Sequence, residues 1–163
     1  MIRKNLSLIA TIAVIVIMTI VGYYVISLKK APYPVSSFQY FTYKWGTAEK
    51  LENTYVSSTG EYHYLDNRDS LIKTQVKLRS NDIIFIHNKA NELGIWKLPN
   101  VVGKQSMNTK SPTYELQFHY KEKTKKITVY SGSDDHPQQL DSAMQIVRIV
   151  RQAIDQAEGR YHN

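Results

Sequence analysis

From Asn5 to Leu28 the chain carries 24 consecutive residues without a formal charge, rich in Ile, Val and Leu. A helix of that length would span about 36 Å at 1.5 Å per residue, against a hydrocarbon core of about 30 Å. The pattern predicts a transmembrane helix over about 6–28 within an anchor at 1–30. Arg3 and Lys4 bracket it on one side, Lys29 and Lys30 on the other, and Tyr23 and Tyr24 stand where an interfacial aromatic belt would fall. The run is longer than the roughly 7–15 apolar residues of a signal peptide, and no small-x-small cleavage site follows it. A lipidated cysteine is excluded because the chain has no cysteine.

Ala31-Pro32-Tyr33-Pro34-Val35-Ser36-Ser37 predicts a short stiff spacer at 31–37, since alternate prolines fix φ and hold their predecessors extended. Residues 38–163 then form one globular domain. Strand patterns cover Phe38 to Trp45, Thr54 to Leu65 and Leu71 to Leu78; in the last, Ile72, Thr74, Val76 and Leu78 alternate with Lys73, Gln75 and Lys77. Asp66-Asn67-Arg68-Asp69 supplies a turn between the second and third runs. A helix follows the Ser80-Asn81-Asp82 cap candidates, buries Ile83, Ile86, Ala90 and Leu93, and stops at Gly94. Asn100 to Ser111 has no periodicity and reads as a long loop. Tyr114 to Tyr120 and Ile127 to Tyr130 alternate as a hairpin, and Pro137 to Glu158 carries an apolar stripe at helical spacing. The expected class is α+β: an antiparallel meander sheet with two helices packed on one face, preceded by one transmembrane helix.

Charge changes the picture once the anchor is set aside. The chain has 21 basic and 14 acidic residues, net +7. Four of the basic residues flank the anchor and every acidic one lies beyond residue 30, so residues 31–163 carry only +3. A nucleic-acid footprint is a concentrated basic stripe, which this domain lacks, so no nucleic-acid partner is expected. Two basic residues on each flank nearly balance the positive-inside comparison. The short tail before the apolar run, as in an export signal, tips the expectation to a cell-membrane protein whose C-terminal domain is extracytoplasmic.

Candidate chemistry is sparse. Asp134-Asp135-His136 could hold a cation, but an aspartate before a proline-containing first turn is an ordinary helix cap. His63 with Glu61, and His119 with Glu115, would converge as metal ligands only if their strands were neighbours; polar positions on a one-sided sheet account for them otherwise. Val102-Gly103-Lys104-Gln105-Ser106 lacks the upstream glycine and the Ser or Thr of a phosphate-binding loop. No G-x-S-x-G or H-E-x-x-H occurs. The sequence therefore predicts no catalytic residue, no metal and no cofactor.

What remains is surface. Tyr40, Tyr43, Trp45, Tyr62, Tyr64 and Trp96 gather amphipathic aromatic rings in the first half of the domain, a residue choice suited to recognition. Phe38 and Tyr40 against Phe41, Tyr43 and Trp45 put aromatics at both parities, so that strand is not expected to be cleanly one-sided. Gly103, Lys104 and Lys110 mark the long loop as a second candidate. On the last helix Ile146, Ile149 and Ala153 widen the apolar stripe, an edge suited to a protein partner or self-association. The expected function is a non-enzymatic binding or assembly module tethered in the cell envelope. Its rivals are a tethered enzyme or binder acting on envelope glycans, with Glu61, Glu115, Asp134 or Asp135 as acids, and a cytosol-facing peripheral scaffold.

Overall fold

The structure, a computed structural model, describes residues 6–29, 33–47, 50–105 and 111–161. The chain divides into two compact units, Met1–Pro34 and Val35–Asn163. In the first, α1 is a helix of 24 residues, Leu6–Lys29. Its large apolar side chains between 9 and 24 are largely exposed: Ile9, Ile12, Ile15, Ile17, Met18 and Ile20 are all more than half accessible. Thr19 Oγ1 donates back to the Ile15 carbonyl at 2.7 Å, so this hydroxyl is satisfied within the helix. Over the described side chains, which in α1 run from 9 to 24, no helix is long and apolar enough to cross a membrane. A transmembrane reading of α1 therefore depends on its complete length. The described end of the proline segment is a single 3-10 turn, Val35–Ser37, while 31–32 lie outside the described residues.

The second unit is α+β. Its strands are β1 (Phe38–Thr47), β2 (Lys50–Val56), β3 (Glu61–Leu65), β4 (Leu71–Gln75), β5 (Val101–Val102), β6 (Pro112–Tyr120) and β7 (Thr124–Tyr130), in the sheet order β4-β3-β2-β1-β6-β7-β5. The sheet is mixed rather than a pure antiparallel meander. Strand β5 runs parallel to β7, with Val101 opposite Thr128, and β1 pairs with β6 across the intervening helix. A two-residue strand has no period to detect, which is why it was hidden in the expected loop. The expected single strand from Thr54 to Leu65 is two strands, folded over 57–60 by a turn in which Gly60 takes φ +78° and donates to the Val56 carbonyl at 2.8 Å. The polar start of β2 gave no strand signal. Beyond β4, Val76 and Leu78 leave the ladder yet stay buried.

Cross-strand pairs place Phe41 opposite Phe118, Tyr43 opposite Leu116 and Tyr55, and Leu116 opposite Ile127. This face is the core. Helices α2 (Ser80–Glu92) and α3 (Pro137–Tyr161) cover it. His87 of α2 sits 5.7 Å from the Phe38 ring and 5.9 Å from the Tyr120 ring, while α3 buries Ala143, Ile146, Val147, Val150, Ile154 and Ala157. The other face, with Thr42, Lys44, Gln117 and Lys126, is polar and accessible to solvent. Aromatics at both parities of β1 have a local cause. A β-bulge between Phe38 and Tyr40 inserts one residue opposite β6, so Phe38 and Phe41 both face the core although three apart.

Three polar devices fix the elements. Phe41 N–H donates to Ser57 Oγ at 2.8 Å, and Ser57 N–H donates to the Phe41 carbonyl at 3.0 Å, locking β1 to the turn after β2. Asp82 Oδ2 accepts from Arg79 N–H at 3.0 Å and from Arg160 at 2.8 Å, so one carboxylate caps α2 and ties it to the end of α3. Lys125, only 7% exposed, reaches the Leu98 carbonyl at 2.5 Å and Asn100 Oδ1 at 3.4 Å, and burial holds its amine below the usual range.

Replacing Ser57 with Ala leaves the buried Phe41 N–H without its acceptor. The expected loss is about 1–3 kcal/mol, measured by urea denaturation with an unchanged m-value.

Candidate functional site

An arrangement of chemistry-bearing side chains lies at one end of the sheet, where β1, β2, β3 and β6 meet the last turns of α3. An open cleft of about 590 Å³ is lined there by Trp45, Tyr62, Tyr64 and Tyr114, with Glu52, Asn53, Asp66, Asp69, Arg151 and Glu158 around them. The rings form a continuous pavement. Tyr64 and Tyr62 are 4.8 Å apart, Tyr62 and Trp45 5.9 Å, Trp45 and Tyr43 4.7 Å in a stack tilted by only 17°, and Tyr43 and Tyr114 6.5 Å. Such contacts, two within a strand at i,i+2 and two across strands, are what aligned side chains on one face of a pleated sheet produce.

The backbone at this end is specialised to hold them. The β1–β2 ladder shifts register between Trp45 and Thr47, and a side chain on Gly46 would run into the Lys50 carbonyl. Asn53 crosses the neighbouring strands, its Nδ2 donating to the Trp45 carbonyl at 3.0 Å and its Oδ1 accepting from Leu65 N–H at 2.8 Å. Asp66 Oδ1 closes the β3–β4 turn by accepting from Arg68 N–H at 2.8 Å and Ser70 N–H at 2.9 Å. On α3, Arg151, Asp155 and Glu158 fall at intervals of four and three residues, hence on one flank. Arg151 Nε lies 4.0 Å from Asp155 Oδ2.

Two phenols are perturbed. Burial, reinforced by the Glu158 and Asp155 carboxylates, pushes Tyr62 up to about 12. Burial pushes Tyr43 higher still, and its Oη, fully enclosed, has no hydrogen-bond partner among the described residues.

Trp45, Tyr62 and Tyr64 thus meet in one cleft, with Tyr43 packed beneath Trp45. Tyr40 is on the opposite face of the sheet, stacked on His119 at 4.2 Å. Trp96 is a core residue, 8% exposed, packed edge-on against Phe118 at 5.1 Å with its Nε1 donating to Asn91 Oδ1 at 3.2 Å. Tyr114, Glu52, Arg151 and Glu158 were missed by sequence reasoning. Tyr114 shares the parity of Leu116 and Phe118 and was legible as a core-facing ring; the charged residues gave no signal until the fold joined β2 to α3.

Gly103 and Lys104 line a second cleft, of about 540 Å³, with Lys97, Asp135, His136 and Gln139. Gly103 takes φ +82° and a Cβ there would meet Ser133, whose Oγ accepts from Lys104 N–H at 3.0 Å. Asp135 is not the helix cap that the sequence suggested. Helix α3 starts at Pro137 after His136, and Asp135 pairs with Lys104 Nζ at 2.9 Å. Lys110 lies outside the described residues. The His63 and His119 strands are separated by β2 and β1, about 14 Å at the usual strand spacing, and no metal-binding group of three or more ligand side chains occurs among the described residues. Glu115 instead pairs with Lys126 at 2.7 Å. Ile146 is fully buried, whereas Ile149 and Ala153 border a shallow groove with Phe85.

Because the Tyr43 hydroxyl has no partner, Tyr43→Phe is expected to leave stability equal or raise it by about 1 kcal/mol. An unfolded tyrosine ionises near 10, so between pH 10 and 12 the unfolded chain releases phenol protons that folded Tyr43 and Tyr62 retain. Their contribution is complete below pH 10 and falls above it, by up to about 1.4 kcal/mol per pH unit for each tyrosine. Lys125, with a lowered amine, acts in the opposite direction. Comparing wild type with Tyr43→Phe by denaturation at pH 9, 10 and 11 cancels it, and the variant should lose distinctly less stability. No protein-family model matches this chain, and no curated protein matches it either, so the chemistry of the cleft rests on its own residues.

Proposed function

We propose that this chain is a single-pass membrane protein whose 38–163 domain is a non-enzymatic binding or assembly module facing the extracytoplasmic side. The observation that carries the reading is α1: a helix of 24 residues, Leu6–Lys29, whose large described side chains, between 9 and 24, are apolar or aromatic and largely exposed. A surface helix of a globular domain keeps a polar face, and a helix apolar all round belongs in a core or in lipid. Complete, it reaches about 36 Å, enough for a hydrocarbon layer of about 30 Å. Tyr23 and Tyr24 near one end suit the headgroup region.

The open aromatic cleft supports the binding half of the reading. Rings with one apolar face and a polar tip suit recognition, and this cleft combines four of them with hydrogen-bonding groups. The alternative of a glycan-directed enzyme or binder draws on the same cleft, with Glu52, Asp66, Asp69 and Glu158 in place of the acids the sequence suggested. It requires two of these carboxylates about 5–10 Å apart across a bound sugar.

In intact spheroplasts carrying a C-terminally tagged chain, added protease is expected to remove the tag while the chain stays with the membrane after alkaline carbonate washing. A tag fully protected until the membrane is permeabilised would instead favour a cytosol-facing scaffold, and release by carbonate would end the transmembrane reading. Cross-linking in native membranes should recover a reproducible partner or a dimer; recovery of the monomer alone would count against the assembly role.

A further inference from the structure

We infer that the cleft beneath the end of β1 seats a cationic side chain, the ammonium of a lysine or the guanidinium of an arginine on a peptide segment of a partner; the inference rests on the binding-module reading and names its ligand class. Two features of the cleft agree on the sign of the charge. Its floor is the pavement of Trp45, Tyr62, Tyr64 and Tyr114, and aromatic faces carry negative potential that attracts cations, tryptophan most strongly. Its rim is acidic, with Glu52, Asp66, Asp69 and Glu158 against Arg151 among the lining residues.

Two guanidinium groups at the cleft already face carboxylates. Arg151 faces Asp155 at 4.0 Å, and Arg68, almost fully exposed, leans towards Asp66 at 3.9 Å. Counting Asp155, Arg68 and Lys50, which pairs with the lining residue Thr47, five carboxylates stand against three cations among the described residues, so the balance around the cleft is negative. The domain as a whole is mildly basic, which makes a local acidic hollow a departure from its surroundings and a focus for positive charge. Burial chiefly raises the Tyr62 phenol, and the Glu158 and Asp155 carboxylates beside it add to the rise.

An anionic polymer is disfavoured by this field. A neutral sugar could stack on Trp45 but would leave the acidic rim without a charge partner. A basic side chain uses both features, its alkyl stem along the rings and its head among the carboxylates. The open shape, with walls from β1, β2, β3, β6 and α3, admits a chain passing through rather than an enclosed small molecule.

The test uses the full chain in lipid nanodiscs, labelled with fluorotryptophan, so that Trp45 and Trp96 report separately by fluorine NMR. The probes are the peptides acetyl-Gly-Lys-Gly-Lys-Gly-amide and its arginine and glutamate counterparts, with free n-butylamine and chitotetraose as further arms. The lysine and arginine peptides are expected to shift the Trp45 resonance saturably, leave Trp96 in place, and bind more weakly as salt rises. Glu158→Gln and Trp45→Leu should each weaken calorimetric affinity by about tenfold, while Glu61→Gln on the opposite sheet face leaves it unchanged. A peptide bound more tightly than n-butylamine identifies the polypeptide as the source of the cation; equal affinity for the two would overturn the peptide assignment. Chitotetraose moving Trp45 where the lysine peptide does not would overturn the cationic ligand and leave the binding-module reading intact. Equal binding of the glutamate peptide, affinity indifferent to Glu158→Gln in a variant whose Trp96 resonance shows it folded, or no response to any probe would each sink the inference, independently of whether cross-linking recovers a partner.

Discussion

The pairing of β1 with β6 is the contact on which the rest of the domain depends. It runs from Phe38 opposite Tyr120 to Thr47 opposite Pro112, in the middle of the sheet, and joins the four-strand array β4-β3-β2-β1 to the β6-β7-β5 array. Phe41 against Phe118 and Tyr43 against Leu116 form the centre of the core face, all four fully buried. Strand β1 is irregular at both ends, in its ladder with β6 near Phe38 and in its ladder with β2 near Gly46. The bulge near Phe38 turns an extra ring into the core, and the register shift at Gly46 sets Trp45 at the lip of the cleft. One strand therefore organises the interior at one end and the aromatic cleft at the other.

The division of labour between the sheet's two faces follows from composition. On the helix-covered side nearly every position is aromatic or branched, and the polar exceptions are engaged: Lys125 by the Leu98 carbonyl, and the Ser57 hydroxyl by Phe41 N–H. On the open side charged and hydroxyl residues face water, and the contacts there, Tyr40 on His119 and Lys126 on Glu115, join neighbouring strands without building a core. Exposed contacts of this kind contribute little stability. The cleft forms where the helix-covered face runs out, so its rings keep the packing of a core on one side and access to solvent on the other.

Legibility in the sequence tracked the length of each periodic run. The alternation in Tyr114 to Tyr120 and the stripe on Pro137 to Glu158 extend over enough residues to define a face, and both elements were expected nearly where they occur. The loop-like stretch that hides Val101-Val102 and the polar start of β2 at Lys50 carry no period, and only pairing with β7 and β1 makes them strands. For the site, Trp45, Tyr62 and Tyr64 stood out in the sequence and meet in one cleft, but Trp96 and Tyr43 have the same chemistry and are enclosed. Residue type cannot distinguish a ring at the lip from one beneath it. The acids and Arg151 were invisible as a set because they come from β2, the β3–β4 turn and α3, brought together only by the order of strands.

The central pairing also imposes an order in time. Strand β1 is made early and its partner β6 about sixty-five residues later, so at a synthesis rate of about 5–20 residues per second its aromatic face waits several seconds without a mate. During that interval β2, β3 and β4 can fold back on one side of β1, while Phe41 and Tyr43 on the other side still lack Phe118 and Leu116. The nascent chain thus carries an adhesive edge until its last third emerges. Its misassembly is most to be expected there, by a second copy offering its own β6 before the first has finished.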